Sequence, residues 1–173
     1  MARQLWLLRH AEAEPHGARS DSQRRLTARG EGQARTAGIA LARLKVDFDA
    51  VLFSPKTRAR QTAELAASQW SEQQRVRLSV HPPLAGDFDA RQALAEVAAL
   101  APDGRLLLVG HEPDLSGIVG GLTGARIDLK KGGLAIVRLD GRAPRPDGVV
   151  GELVVLMRPH EVALIAGVPA DGD

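Results

Sequence analysis

Four times in the first 122 residues, a short apolar run is followed by a segment whose apolar residues recur at helical spacing. This alternation constrains the fold more than any other feature of the chain. Residues 5–8, 50–53, 76–80 and 106–109 read as strands. Residues 27–44, 56–70, 89–100 and 113–122 read as helices, the first of them despite Gly30, Gly32 and Gly38. Successive strands separated by helices pair in parallel through crossovers, which implies a mainly parallel sheet with helices on both faces. The pattern then changes. Residues 134–139 and 151–157 are strand-like and flank a run of turn formers at 140–148, which predicts a hairpin and an antiparallel strand near a sheet edge. The expectation is an α/β, three-layer sandwich forming a single domain over residues 1–168, with a frayed tail at 169–173. A chain of 173 residues suits this, since it can bury roughly 70% of its unfolded surface in one core.

Composition removes several function classes. The chain has no cysteine, which excludes a disulfide scaffold, thiolate metal sites and a cysteine nucleophile. It contains no run of about 18 apolar residues, so no membrane partner is expected. The apolar run near the N-terminus is only four residues long, shorter than a signal peptide needs, and a cytoplasmic location is expected. The net charge of +2 is unevenly spread: residues 1–60 carry twelve basic and six acidic residues. Aromatic residues make up only 3%, too few to provide stacking platforms, so nucleic acid is not an expected partner.

Open parallel sheets bind ligands at the carboxyl ends of their strands. Past the four predicted strands stand Arg9-His10, then Ser54-Pro55-Lys56-Thr57-Arg58, then Pro82 to Asp87, then Gly110-His111-Glu112. The topology therefore gathers two arginines, two histidines and a carboxylate on one rim. Arginine presents a fork suited to phosphate, and histidine can act as acid, base or nucleophile. Each residue also has a plainer reading. A lone histidine at a strand end is usually structural, Arg58 on a helix can be half of a surface ion pair, Asp87 and Asp89 can be helix caps, and Glu12 and Glu14 can be solvated loop charges. Other motifs fail: His10-Ala11-Glu12 lacks the cysteines of a zinc deaminase, and no H-E-x-x-H, P-loop or G-x-S-x-G is present.

Leu7-Leu8-Arg9-His10-Ala11-Glu12-Ala13 resembles the first motif of the histidine phosphatase superfamily, with Ala11 where the usual form has glycine. Ser54-Pro55-Lys56-Thr57-Arg58-Ala59-Arg60-Gln61-Thr62 resembles its second motif, and Val109-Gly110-His111-Glu112-Pro113 its third. Asp21 to Gly30 resembles the D-x-x-R-x-L-T-x-x-G segment of the SixA phosphohistidine phosphatase branch.

The resemblance implies a phosphoglycerate-mutase-like fold and a phosphatase that works through a covalent phosphohistidine on His10, with no metal or cofactor. Arg9, Arg58 and His111 would hold the phosphoryl oxygens, His10 would attack as neutral imidazole with its other ring nitrogen bonded to a backbone carbonyl, and His111 would work best protonated. Arg25 and Glu12 are further substrate-binding candidates. Many relatives carry a glutamate acid after the third strand, where this chain has only Leu84 to Asp89 without one. That makes Asp87 the expected acid and Glu12 the second choice. An imidazole leaves more readily than an alkoxide, so a weak acid suits phosphohistidine on a protein better than a sugar phosphate. The alternatives are a small-molecule phosphomonoesterase or mutase acting on a small phosphorylated substrate, a non-catalytic phosphoprotein-binding module, and a metal hydrolase built on His10, Glu12, His16 and His111.

Overall fold

Strands β1 (Arg3–Arg9), β2 (Ala50–Phe53), β3 (Leu78–Val80), β4 (Arg105–Gly110), β5 (Leu134–Leu139) and β6 (Glu152–Met157) form one sheet in the order β3-β2-β4-β1-β5-β6. The computed structural model describes residues 2–141 and 148–170. Strands β1 to β4 are mutually parallel, whereas β5 runs antiparallel to both β1 and β6. This is the expected mainly parallel sheet with an antiparallel strand next to one edge. The centre of the predicted hairpin turn, residues 142–147, and the last three residues of the predicted frayed tail lie outside the described residues.

Alternation along the buried strands sends side chains into two cores. Leu5, Leu7, Leu106 and Leu108 face helices α4 (Ala90–Ala98) and α5 (Asp114–Thr123). Trp6, Leu8, Leu107 and Val109 face α1 (Ala28–Arg43), α2 (Thr57–Ala67) and α6 (Pro159–Ala166). Three layers in one α/β domain result. Among the described residues, no helix is long and apolar enough to cross a membrane.

Capping chemistry accounts for most boundaries. The Thr27 hydroxyl accepts the Gly30 N–H and starts α1. Asp89 caps α4 in a reciprocal box with Gln92, so the helix-cap reading of that aspartate holds. The predicted helix at 56–70 stops at Ala67, because Ser71 caps a separate helical turn, α3 (Glu72–Arg75), and the third strand consequently begins at Leu78 rather than at residue 76. Helix α6 was not anticipated, although its signals are local: Pro159 in the first turn, Glu161 bonded back to the Arg158 N–H, and Gly167 in the left-handed conformation.

Two of the α1 glycines have tertiary reasons. A Cβ on Gly30 would lie 1.9 Å from the Glu12 carbonyl oxygen, and one on Gly38 would lie 2.1 Å from that of Ala66. The loop after β1 and helix α2 press onto α1 at these two points. Gly32 faces open space.

Candidate active site

The parallel register aligns the strand ends. Arg9 pairs with Gly110 and Phe53 with Val109. The ladder runs on past the strands, with the His10 N–H donating to the Gly110 carbonyl at 3.0 Å and the Ser54 N–H to the Val109 carbonyl at 3.0 Å. Ser54, His111 and His10 therefore stand side by side at the carboxyl ends of three adjacent strands. The two imidazole centroids are 5.2 Å apart. A cleft of about 580 Å³ opens over them, with Arg9, Arg24, Lys56, Arg58, Asp87 and Lys131 also on its wall.

The His10 ring is buried and its Nδ1 lies 2.8 Å from the Ala11 carbonyl oxygen. A carbonyl only accepts, so Nδ1 carries the proton and Nε2 keeps its lone pair. The Arg58 Nε–H points at that nitrogen from 3.4 Å. Burial, above all, pushes the His10 imidazole down to about 3, and the neighbouring Arg58, Arg9 and Lys131 push the same way against the Ala11 hydrogen bond. His10 is thus neutral near pH 7, with a bare Nε2.

Arg58 sits in the first turn of α2, and its Nη1 donates to the Asp21 carbonyl at 2.7 Å. The Thr62 hydroxyl donates to the Arg58 carbonyl and accepts the Ala11 N–H, tying α2 to the loop that carries His10. Gln61 accepts the Leu26 N–H in the same seam. Arg9 reaches across with Nη1 on the Leu129 carbonyl at 2.9 Å. Its Nε and the His111 Nδ1 are, among the described residues, the buried side-chain nitrogens with no hydrogen-bond partner. Both belong to residues that line the cleft.

His111 differs from expectation. Its Nε2 lies 2.7 Å from the Ser54 hydroxyl. Burial first, then His10, Arg58 and Lys56, push its imidazole down to about 3. It is neutral near pH 7, because burial strips water from its charged form and the neighbouring cations repel it. An incoming dianion would work against that repulsion.

Five carboxylates line the cleft, and four are engaged. Glu14 accepts from Arg19 and the Arg25 N–H, Glu112 from the Ser116 N–H, and Asp114 from the Phe88 N–H. Asp21 accepts from Lys56 at 3.0 Å and from Arg24, and the Lys56 contact foremost holds its carboxyl well below the usual carboxylate range. Asp87 has no hydrogen bond or ion pair within the described residues. A left-handed backbone (φ 60°), which aspartate tolerates better than most residues, delivers it to the rim.

Two expected site residues lie elsewhere. Glu12 does not line the cleft: one oxygen accepts the Thr27 hydroxyl proton at 2.8 Å and the other pairs with Arg29, because the N-terminus of α1 offers an anion a better place. Arg25 is solvent-exposed and also off the cleft wall. The extended segment bridging Ala13 to Leu26 turns Arg24 and Leu26 inward and Arg25 out. Asp21, Arg24, Lys56 and Ser54 are among the lining or supporting residues to which sequence reasoning gave no role. They lie inside the recognised segments, but their contacts are between segments. Within the described residues, no group of three His, Asp or Glu side chains is placed to hold a metal ion.

The histidine phosphatase superfamily (branch 1) model matches residues 5–85. An uncharacterised protein of Picosynechococcus is 36% identical over 162 residues, spanning 90% of this chain and 96% of its own length. The solved structure of the protein histidine phosphatase SixA complexed with tungstate matches with a TM-score of 0.75 and 28% identity, covering 92% of this chain and 99% of the other. A Nakamurella multipartitia protein, whose SixA phosphohistidine phosphatase name is itself provisional, matches at TM-score 0.73 and 27% identity, covering 92% and 97%. With the motifs, the sheet order and these likenesses in agreement, the chain belongs to the histidine phosphatase superfamily, with SixA-like phosphatases among its near relatives.

Proposed function

We propose that the protein hydrolyses phosphohistidine on a protein substrate through a phosphoenzyme on His10. The observation that carries the reading is the His10 ring itself: Nδ1–H is tied to the Ala11 carbonyl, and a bare Nε2 faces the cleft beside Arg9, Arg58 and His111. In the first step the His10 Nε2 lone pair forms a bond to phosphorus while the P–N bond of the substrate breaks. The departing nitrogen keeps that electron pair: a ring already protonated on its other nitrogen leaves as neutral imidazole, and one that is not takes a proton from Asp87. In the second step water attacks phosphorus, the P–Nε2 bond breaks with its electron pair returning to Nε2, and orthophosphate leaves; the proton that water loses goes to Asp87 where that group gave one up, and otherwise leaves with the phosphate. Cationic donors aimed at the phosphoryl oxygens lower both barriers by stabilising charge as it spreads.

Two features favour phosphohistidine over a phosphomonoester. Asp87 is the lining carboxylate left free, and its exposed position at the rim places it poorly to deliver a proton to a departing alkoxide. The tungstate-bound relative is itself named a protein histidine phosphatase.

The test is a panel of phosphohistidine-bearing proteins and phosphomonoesters, with rapid quenching to trap phosphate on the enzyme. Faster cleavage of phosphohistidine, and an acid-labile label lost in His10→Ala, is the expected result. Phosphomonoesters cleaved equally fast would overturn the substrate assignment. A His10→Ala protein that retained turnover would overturn the mechanism.

A further inference from the structure

Neutral His111 poses a problem for the mechanism above. A neutral imidazole offers one N–H, and the nitrogen that faces an oxyanion must be the one that carries it. The surroundings of Ser54 decide which it is. Ser54 is 0% exposed, and its backbone is fixed by the bond to the Val109 carbonyl. Its oxygen accepts the Lys56 backbone N–H at 3.2 Å. The one acceptor that the described residues offer to its own hydrogen is the His111 Nε2, 2.7 Å away. Either tautomer leaves one buried proton without an acceptor, the ring's or the serine's, but the Nε2–H form would also leave the Nδ1 lone pair unmet in a dry environment, so the hydroxyl proton lies towards Nε2. The ring proton is then on Nδ1, the buried nitrogen for which the fold supplies no acceptor.

We infer that Ser54 is a positioning residue whose hydroxyl locks His111 in the Nδ1–H tautomer, so that a neutral His111 donates to the phosphoryl oxygen. The inference rests on the functional reading above for what occupies the cleft, and on the structure alone for the tautomer. The two histidines then hold the same tautomer by different means. In His10 a backbone carbonyl takes the Nδ1 proton and leaves Nε2 bare as nucleophile. In His111 a hydroxyl occupies Nε2 and leaves Nδ1–H free as donor. A cleft already rich in guanidinium charge thereby gains a further donor without a further cation.

The test measures ring nitrogens of the intact, 15N-labelled protein by long-range proton–nitrogen NMR, which distinguishes a protonated from a bare nitrogen. In the wild type, the expected result is a protonated Nδ1 and a bare Nε2 at His111. In Ser54→Ala, the population should move towards the Nε2–H form, and inorganic phosphate should bind about three- to tenfold more weakly, as losing one neutral hydrogen bond implies. A wild-type His111 protonated on Nε2 and bare on Nδ1 overturns the inference without recourse to any variant. So does a Ser54→Ala protein with unchanged tautomer and unchanged phosphate affinity. Neither readout needs turnover. The predicted tautomer in a protein that hydrolyses no phosphohistidine supports the role of Ser54 and overturns only the functional reading.

Discussion

Two buried imidazoles held neutral make stability depend on acid in a calculable way. Both His10 and His111 have folded values near 3, chiefly through burial, whereas an unfolded histidine titrates near 6.5. Below pH 6.5 the unfolded chain binds protons that the folded chain refuses. The folded state therefore loses stability as pH falls through the window from about 6.5 to about 3, and above it the two groups contribute no pH dependence. Each refused proton is worth roughly 1 kcal/mol per pH unit, so the pair should cost about 2 kcal/mol between pH 6 and pH 5. The perturbation is the double substitution His10→Asn and His111→Asn, which removes both titrations. The assay is urea unfolding followed through Trp6 and Trp70 fluorescence at each pH, for both proteins. The expected difference is a wild-type loss over that unit exceeding the variant's by about 2 kcal/mol. Equal losses in the two proteins would refute the claim that the fold holds these rings neutral. Phosphate should shrink the wild-type loss, because a bound dianion offsets the repulsion from Arg58 and its neighbours.

Two further expectations follow from the geometry. Arg58→Lys keeps the charge but not the fork that reaches both Asp21 and His10, and kcat on phosphohistidine should fall about a hundredfold with the fold retained; a loss under fivefold in steady-state assays would contradict the placement of Arg58 on the transition state. Within α1, Gly32→Ala meets open space and should stabilise by about 1 kcal/mol, or about 2–4 °C. Gly38→Ala meets the Ala66 carbonyl and should destabilise by about 1–3 kcal/mol despite the same helical gain. Melting temperatures that rise in both variants would remove the close approach from the account.

Much of this molecule is written locally. The strand–helix alternation gives the parallel half of the sheet because each apolar run and each helical stripe is a property of a few neighbouring residues, and the caps at Thr27 and Asp89 need only a side chain and the turn beside it. The rim rule then placed Arg9, His10, Arg58 and His111 together, since it needs only strand order. What escaped was set by distance along the chain. The sequence alone could not reveal that Glu12 faces α1, that Arg24 rather than Arg25 turns inward, or that Gly38 is a contact and Gly32 is not. The proton positions lie furthest from the sequence. The lone pair of His10 meets a guanidinium 48 residues away, and the Nε2 of His111 meets a hydroxyl 57 residues away. Residue types along the chain determined which groups can carry charge or donate a proton. Only folding decided which of them do, because desolvation and electrostatic repulsion are sums over whatever the tertiary structure brings within a few ångströms.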